Sequence, residues 1–207
     1  MKLFLILPML LTCAFGKWHM YKHNDIPHNK VVSGMAFMPS STTKLFTLAT
    51  TRRGSPITRL WERIFTNGKW QWVNHYAPSL QREEHLLSTP CVLSDGKLFV
   101  ITNHGRLVER FWDGHTWKWV IHGKPSRFKW LSTIKCVATH GNGLDRVIMV
   151  GTDGNVYERL WRQGAWRWWE ISSPVGIRVS LTVMLIFTNY SSNALYAPGN
   201  GLNDSGD

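Results

Sequence analysis

Apolar and polar residues alternate in short runs through the middle of the chain, and Gly, Asn and Asp interrupt the runs at regular intervals. Such period-two alternation predicts half-buried β-strands, because successive side chains of a strand point to opposite faces. Lys97 to Ile101, Leu107 to Trp112 and Trp117 to Val120 form one such set, with Asn103-His104-Gly105 and Asp113-Gly114 between them. Asp-Gly between two aromatic-rich segments is a strong hairpin signal. Arg146 to Val150, Val156 to Trp161 and Trp166 to Trp169 repeat the scheme around Asp153-Gly154, and the segments Leu86 to Leu93 and Leu131 to Ala138 supply a fourth strand to each set.

These sets are copies of one unit. Counting from Glu62, Glu109 and Glu158, an aromatic lies three residues on (Phe65, Trp112, Trp161), Trp lies eight and ten residues on (Trp70 and Trp72, Trp117 and Trp119, Trp166 and Trp168), and Pro lies sixteen on (Pro78, Pro125, Pro174). The copies start 47 and 49 residues apart. Self-similarity at that period, with four short antiparallel strands per copy, predicts an all-β fold of β-propeller blades. A His follows thirteen residues on in two copies (His75, His122) and Ile171 takes its place in the third. The first copy holds six extra residues around Thr51 to Pro56, which read as a longer exposed loop.

The ends of the chain depart from the repeat. Lys2, the apolar run Leu3 to Leu11 and the small residues up to Gly16 read as a secretory signal peptide, residues 1–16, leaving a repeat domain over 17–196. Trp18, His23 and Pro27 resemble the end of a preceding copy. After Pro174 the copy is short, with no Glu-Arg and no paired Trp, and the Gly/Asn/Asp-rich residues 197–207 read as a disordered tail. Asn189-Tyr190-Ser191 and Asn203-Asp204-Ser205 are glycosylation acceptor sequences in a secreted chain.

Composition narrows the function classes. Twelve Trp among 207 residues, with only 18% charged residues, exclude a disordered chain. The 24 Lys and Arg against 13 Asp and Glu give a net charge of +11, but the basic residues recur with the repeat rather than clustering, which argues against a nucleic-acid surface. The N-terminal apolar run is too short to span a bilayer, so no membrane insertion is expected. With Cys13 removed, Cys91 and Cys136 either pair or pack as small buried hydrophobes, the second reading being slightly favoured. No metal motif, nucleophile elbow or phosphate loop is present, so neither a metal, a cofactor nor an enzymatic activity is expected.

Arg146-Val147, Glu158 twelve residues after the Arg, then Trp161 and Trp166, resemble the blade repeat of the fungal fucose-specific lectins. Glu109 to Trp117 is the nearest copy of the second half, and the related bacterial propeller lectins are the next resemblance. The resemblance covers roughly residues 44 to 175. It implies a lectin with sugar sites in clefts between neighbouring blades, where a cation and Glu hydrogen-bond the sugar and an aromatic from the adjoining blade packs on its apolar face. Carried over copy by copy, the site residues are Arg146 with Glu158, then Lys97 with Glu109, then Lys44 with Glu62, and the aromatics Trp112, Trp117, Trp161 and Trp166. Trp117 is expected to face Glu62, and Trp166 to face Glu109. Lys stands where the lectin repeat has Arg in two copies, and an ammonium cannot make the paired contact of a guanidinium.

Other residues carry structural expectations. Trp70, Trp72, Trp119 and Trp168 read as core, and His75 and His122 as turn or packing residues. Arg63, Arg110 and Arg159 follow the repeat Glu directly and so face the opposite cleft. Arg110 is expected to stack on Trp112, which shares its face. The functional expectation is a secreted, non-enzymatic lectin for fucose-containing or methylated glycans. A propeller scaffold for a protein partner and a propeller glycosidase are the alternatives. At about 48 residues per copy the chain holds about four blades, which close on themselves, remain an open arc, or close as a homo-oligomer with a second chain.

Overall fold

The computed structural model describes residues 26, 30–31, 33–41, 43–50, 57–126, 130–141, 143–171, 178–179, 185–189, 192–196 and 199–200. Residues 1–16, the loop at 51–56 and most of 197–207 lie outside them, as do Trp18, His23 and Pro27. Every described element is a strand.

Three antiparallel sheets follow one another along the chain. The first contains β1 (Lys30–Val31), β2 (Ala36–Phe37), β3 (Lys44–Thr50), β4 (Thr58–Thr66) and β5 (Lys69–Tyr76). β1 and β2 both pair with β3, so its inner edge is covered by two short pieces. The second runs β6 (Cys91–Val92), β7 (Leu98–Ile101), β8 (Leu107–Trp112), β9 (Trp117–Gly123), and the third β10 (Leu131–Gly141), β11 (Leu144–Gly151), β12 (Val156–Arg162), β13 (Ala165–Ile171). The second and third are each the four-stranded meander of a propeller blade, and the first differs only in that two short strands share its inner edge. Beyond them β14 (Arg178–Val179) pairs with β17 (Gly199–Asn200), and β15 (Leu185–Asn189) forms a hairpin with β16 (Ser192–Tyr196). The pairing of Gly199–Asn200 departs from the disorder expected of the tail.

The outer hairpins form where the sequence supplies left-handed residues. Asn67-Gly68 and Gln163-Gly164 have positive φ at both positions (50° and 72°, 54° and 76°), the geometry that matches the twist of the flanking strands. In the second sheet Asp113 caps the turn instead, its Oδ1 accepting from the backbone N–H groups of His115 and Thr116 at 2.9 and 2.7 Å.

In the second sheet β7 is buried on both faces, and the alternation along it divides its residues between two cores. Leu98 and Val100 join Phe46, Leu48, Leu60, Leu86, Val92 and Val108 against the first sheet. Phe99 and Ile101 join Leu107, Leu131, Val147, Met149 and Tyr157 against the third. Each fully buried side chain of this size contributes roughly 1.5–3 kcal/mol, so these aliphatic layers hold the blades together. The indoles take a different place from the one expected. Trp119 and Trp168 are partly buried and pack at the margin of the two layers, while Trp70 and Trp72 are only half-buried.

Two further devices join neighbouring units. Cys91 and Cys136 form a disulfide with a Cα separation of 5.7 Å. This corrects the expectation that they pack as free thiols: β6 and β10 are the inner strands of adjacent sheets, and the stacking of blades brings them together. The connection from β5 to β6 is anchored by Glu84, whose buried carboxylate accepts from Arg106 through Nε at 2.7 Å and through Nη2, and from the Thr102 hydroxyl at 2.6 Å. These restraints explain why only Cys91 and Val92 of the expected Leu86 to Leu93 strand join β7, with Leu86 contributing a single bridge to Thr102.

Removing the disulfide tests its role as an inter-blade tie. The Cys91→Ala/Cys136→Ala double variant is expected to lose roughly 2–4 kcal/mol of unfolding free energy in urea. Reductant should lower the wild-type midpoint similarly and leave the variant unmoved.

Candidate functional site

Each repeat Glu lies on the third strand of its sheet, facing the next sheet. Glu62, Glu109 and Glu158 are all buried, directly across from Phe46, Phe99 and Ile148 of the second strand. Two residues before each of those stands the repeat cation. Lys44 Nζ lies 3.6 Å from Glu62 Oε1, and Arg146 Nε lies 3.5 Å from Glu158 Oε1. The second copy breaks this pairing. Lys97 bonds Asp95 and, across the sheet boundary, Asp145 at 2.6 Å, rather than Glu109. Asp145 also accepts from His140 Nδ1 at 2.6 Å. Burial opposes charge on both Lys97 and Asp145, but their hydrogen bonds to each other and to Asp95 and His140 outweigh it. They hold the ammonium above and the carboxyl below their ordinary ranges.

Lys97 and Glu109 nevertheless line one cleft of about 350 Å³ between the second and third sheets, with Phe111 and Val120 beside them and Trp161 and Trp166 from the third sheet opposite. The two indoles meet edge to face, centroids 5.6 Å apart at 64°. Trp166 also packs on Phe99 and His122 at 5.7 and 5.2 Å. Trp161 and Trp166 therefore form the cleft's aromatic wall, from the blade after the one carrying Glu109.

The boundary between the first and second sheets repeats the arrangement. His75 packs edge to face on Trp117, centroids 4.7 Å apart, and Trp117 packs on Trp112 at 5.8 Å and 68°. Lys44 and Glu62 thus stand on one wall and Trp112 and Trp117 belong to the other. For Arg146 and Glu158 no opposite wall is found among the described side chains, which end at Ile171.

Two histidines that the sequence reading assigned to turns or packing belong to this site. His75 Nε2 lies 2.9 Å from Glu62 Oε2, and His122 Nε2 lies 2.9 Å from Glu109 Oε2. The next sheet covers each pair: Trp119 Nε1 donates to the His75 carbonyl at 3.2 Å, and Trp168 Nε1 to the His122 carbonyl at 3.4 Å. Their offset from the repeat Glu was visible, but the bond to its carboxylate was not. Both residues sit where the register of the outer strand shifts. Leu60 pairs with Tyr76 while Trp61 pairs with Asn74, and Leu107 pairs with Gly123 while Val108 pairs with Ile121. His75 and His122 are thus the extra residues of β-bulges, which re-aim side chains. Between β12 and β13 of the third sheet the register is continuous to Ile171, and that pairing has no bulge.

The arginines take the opposite face from their neighbouring glutamates. Arg63 lies over Trp70 and Trp72, and Arg159 over Trp168. Arg110 lies over Trp117 and Trp119, at 5.6 and 5.2 Å, and not over the expected Trp112. The outer strand of the same sheet offers two indoles beside the guanidinium, whereas Trp112 continues to the exposed hairpin end. Arg159 Nε donates to His122 Nδ1 at 3.4 Å from across the cleft. Burial pulls all three guanidinium groups below their usual range, with Glu109 opposing the effect at Arg159. Among the described residues no group of three or more His, Cys, Asp or Glu is placed to hold a metal ion, and no helix is long and apolar enough to cross a membrane.

No family model matches the chain, and no curated protein matches its sequence. Two solved structures overlay on part of it. A prolyl endopeptidase does so at 13% identity over 67% of this chain and 19% of that one, with a TM-score of 0.40. A mutant of AofleA from Arthrobotrys oligospora does so at 18% identity over 63% of this chain and 38% of that one, with a TM-score of 0.42. The chain therefore spans a minor part of both, and overlaps this partial bear on neither ligand nor activity.

The missing histidine has an electrostatic consequence in the third copy. Burial pushes the Glu158 carboxyl above its ordinary range, and the nearby Arg146 only partly offsets that. A carboxyl raised in the folded state favours folding when protonated. That contribution is complete below the unfolded-state value and is lost as pH rises through the folded-state value. Glu158→Gln is therefore expected to raise the unfolding midpoint at pH 7, with the difference from wild type vanishing below about pH 4. Thermal unfolding followed across that range by circular dichroism checks it.

Proposed function

We propose that the protein is a secreted, non-enzymatic lectin that binds fucose or a related deoxy or methylated sugar in the clefts between neighbouring sheets. The cleft between the second and third sheets carries this reading. It places a buried carboxylate and an ammonium on one wall and two indoles at a steep angle on the other. A pyranose fits that chemistry, since its hydroxyls both donate and accept while its C–H face is apolar. Phe111 and Val120 add an apolar surface beyond the indoles, suited to a methyl group. Secretion is supported by the disulfide, which persists in an oxidising compartment. The absence of enzymatic activity is supported by the cleft lining, which includes one carboxylate where most glycosidases use two.

A second reading, a scaffold for a protein partner, is favoured by Trp130 and Trp169, which are 45% and 49% exposed outside this cleft.

A glycan array separates the two. The lectin reading expects retention of fucosylated or O-methylated glycans, and no binding to any of them would overturn it. Calorimetric titration with a bound sugar then locates the site. Glu109→Gln and Trp161→Ala are each expected to lower the number of sugars bound per chain, with the unfolding midpoint nearly unchanged. A stoichiometry unaffected by both places the sugar elsewhere.

A further inference from the structure

Two bulged histidines, each followed by a residue with positive φ, are an unusual feature for plain blade edges. Tyr76 adopts φ 61° and Gly123 φ 75° directly after His75 and His122. Tyrosine in the left-handed region is strained, and such strain persists only where surrounding structure enforces it. Here each imidazole beside the bulge meets a carboxylate buried under the next sheet's indoles.

We propose that His75 and His122 are positioning residues for ligand binding: each fixes its glutamate in rotamer by a hydrogen bond, so that the remaining acceptor sites of the carboxylate meet the ligand. This rests on the lectin reading for the identity of the ligand, but the arrangement itself is a property of the free protein. In the second cleft the proton positions follow from the partners. Arg159 donates to His122 Nδ1, and a nitrogen that accepts from a guanidinium carries no proton. The ring proton is then on Nε2, which donates to Glu109 Oε2. The Glu109 carboxylate is thus held from its own sheet without a cation on the cleft face, while Lys97 binds Asp145. The third copy is the natural contrast. Ile171 replaces the histidine, the bulge is absent, and Glu158 has only Arg146 near it, whereas Glu62 keeps one buried oxygen unbonded while His75 bonds the other. Arg159, read from sequence as facing the other cleft, thus serves the preceding blade's site: it ties the third sheet to the second sheet's carboxylate.

Two measurements test this. Nitrogen-15 imidazole spectra of the ligand-free protein at pH 7.5 are expected to show His122 as a neutral ring protonated on Nε2. A ring protonated on Nδ1, or on both nitrogens, would overturn the proposal whether or not any sugar binds. The second compares His75→Gln/His122→Gln with His75→Ile/His122→Ile, because a glutamine amide can donate to the carboxylate and isoleucine, the third copy's residue, cannot. Affinity for the array-selected sugar is expected to fall about tenfold or more in the isoleucine pair, the loss of one charge-assisted hydrogen bond. The glutamine pair should recover most of it, with unchanged far-ultraviolet circular dichroism. Equal losses in both pairs, or none in either, would contradict the positioning role. A protein that binds no sugar defeats the lectin reading alone, and the tautomer measurement still decides the proposal.

Discussion

A carboxylate taken out of water between two sheets must find hydrogen-bond donors or lose its charge, and the placing of Glu62 and Glu109 depends on how that requirement is met. The donor is a histidine from the outermost strand of the same sheet, at the position where that strand bulges. Because the imidazole then needs cover, the following sheet supplies it: an indole edge to face, a second indole bonded to the histidine carbonyl and, in the second cleft, a guanidinium on the far ring nitrogen. Blade stacking and the chemistry of the cleft are therefore one arrangement. The apolar layers of Leu, Val and Phe supply most of the apolar burial between sheets, but they do not explain why the repeat keeps Glu, Trp and Trp at fixed offsets.

The same logic explains why the copies differ. In the first, Lys44 lies near Glu62 and His75 bonds it. In the second, His122 alone bonds Glu109 from its own sheet, and Lys97 becomes an inter-sheet tie to Asp145. In the third, Arg146 stands near Glu158 without a hydrogen bond and no histidine is present. Three copies of one sequence pattern thus yield three electrostatic settings, and the second has the cleft in which a carboxylate, an ammonium and two indoles line a common volume.

Much of the architecture was legible because its signals are local. Alternation placed the strands around Asp113-Gly114 and Asp153-Gly154 to within a few residues, and the repeat offsets placed Trp166 in the blade after Glu109. What escaped was set by non-local geometry. The Cys91–Cys136 bond depends on which inner strands become neighbours. The expected strand at Leu86 to Leu93 was curtailed by the Glu84–Arg106 anchor, whose partners lie 22 residues apart. The indoles were read as core because they are large and apolar, yet the Nε1–H groups of Trp119 and Trp168 find their acceptors at the margin. His75 and His122 stood in plain register, two residues along the strand from the partners of Glu62 and Glu109 and so on the same face, but their bonds to the carboxylates were not legible from spacing alone.

The account's central claim is that the cleft between the second and third sheets receives a sugar on Glu109 and the Trp161–Trp166 wall. A crystal structure of the protein soaked with a fucoside tests it most directly. The expected result is a pyranose in that cleft, with a hydroxyl within about 3 Å of the Glu109 carboxylate and its C–H face against an indole. A saturated crystal whose second cleft holds no sugar, or a fucoside bound only away from these residues, would contradict it.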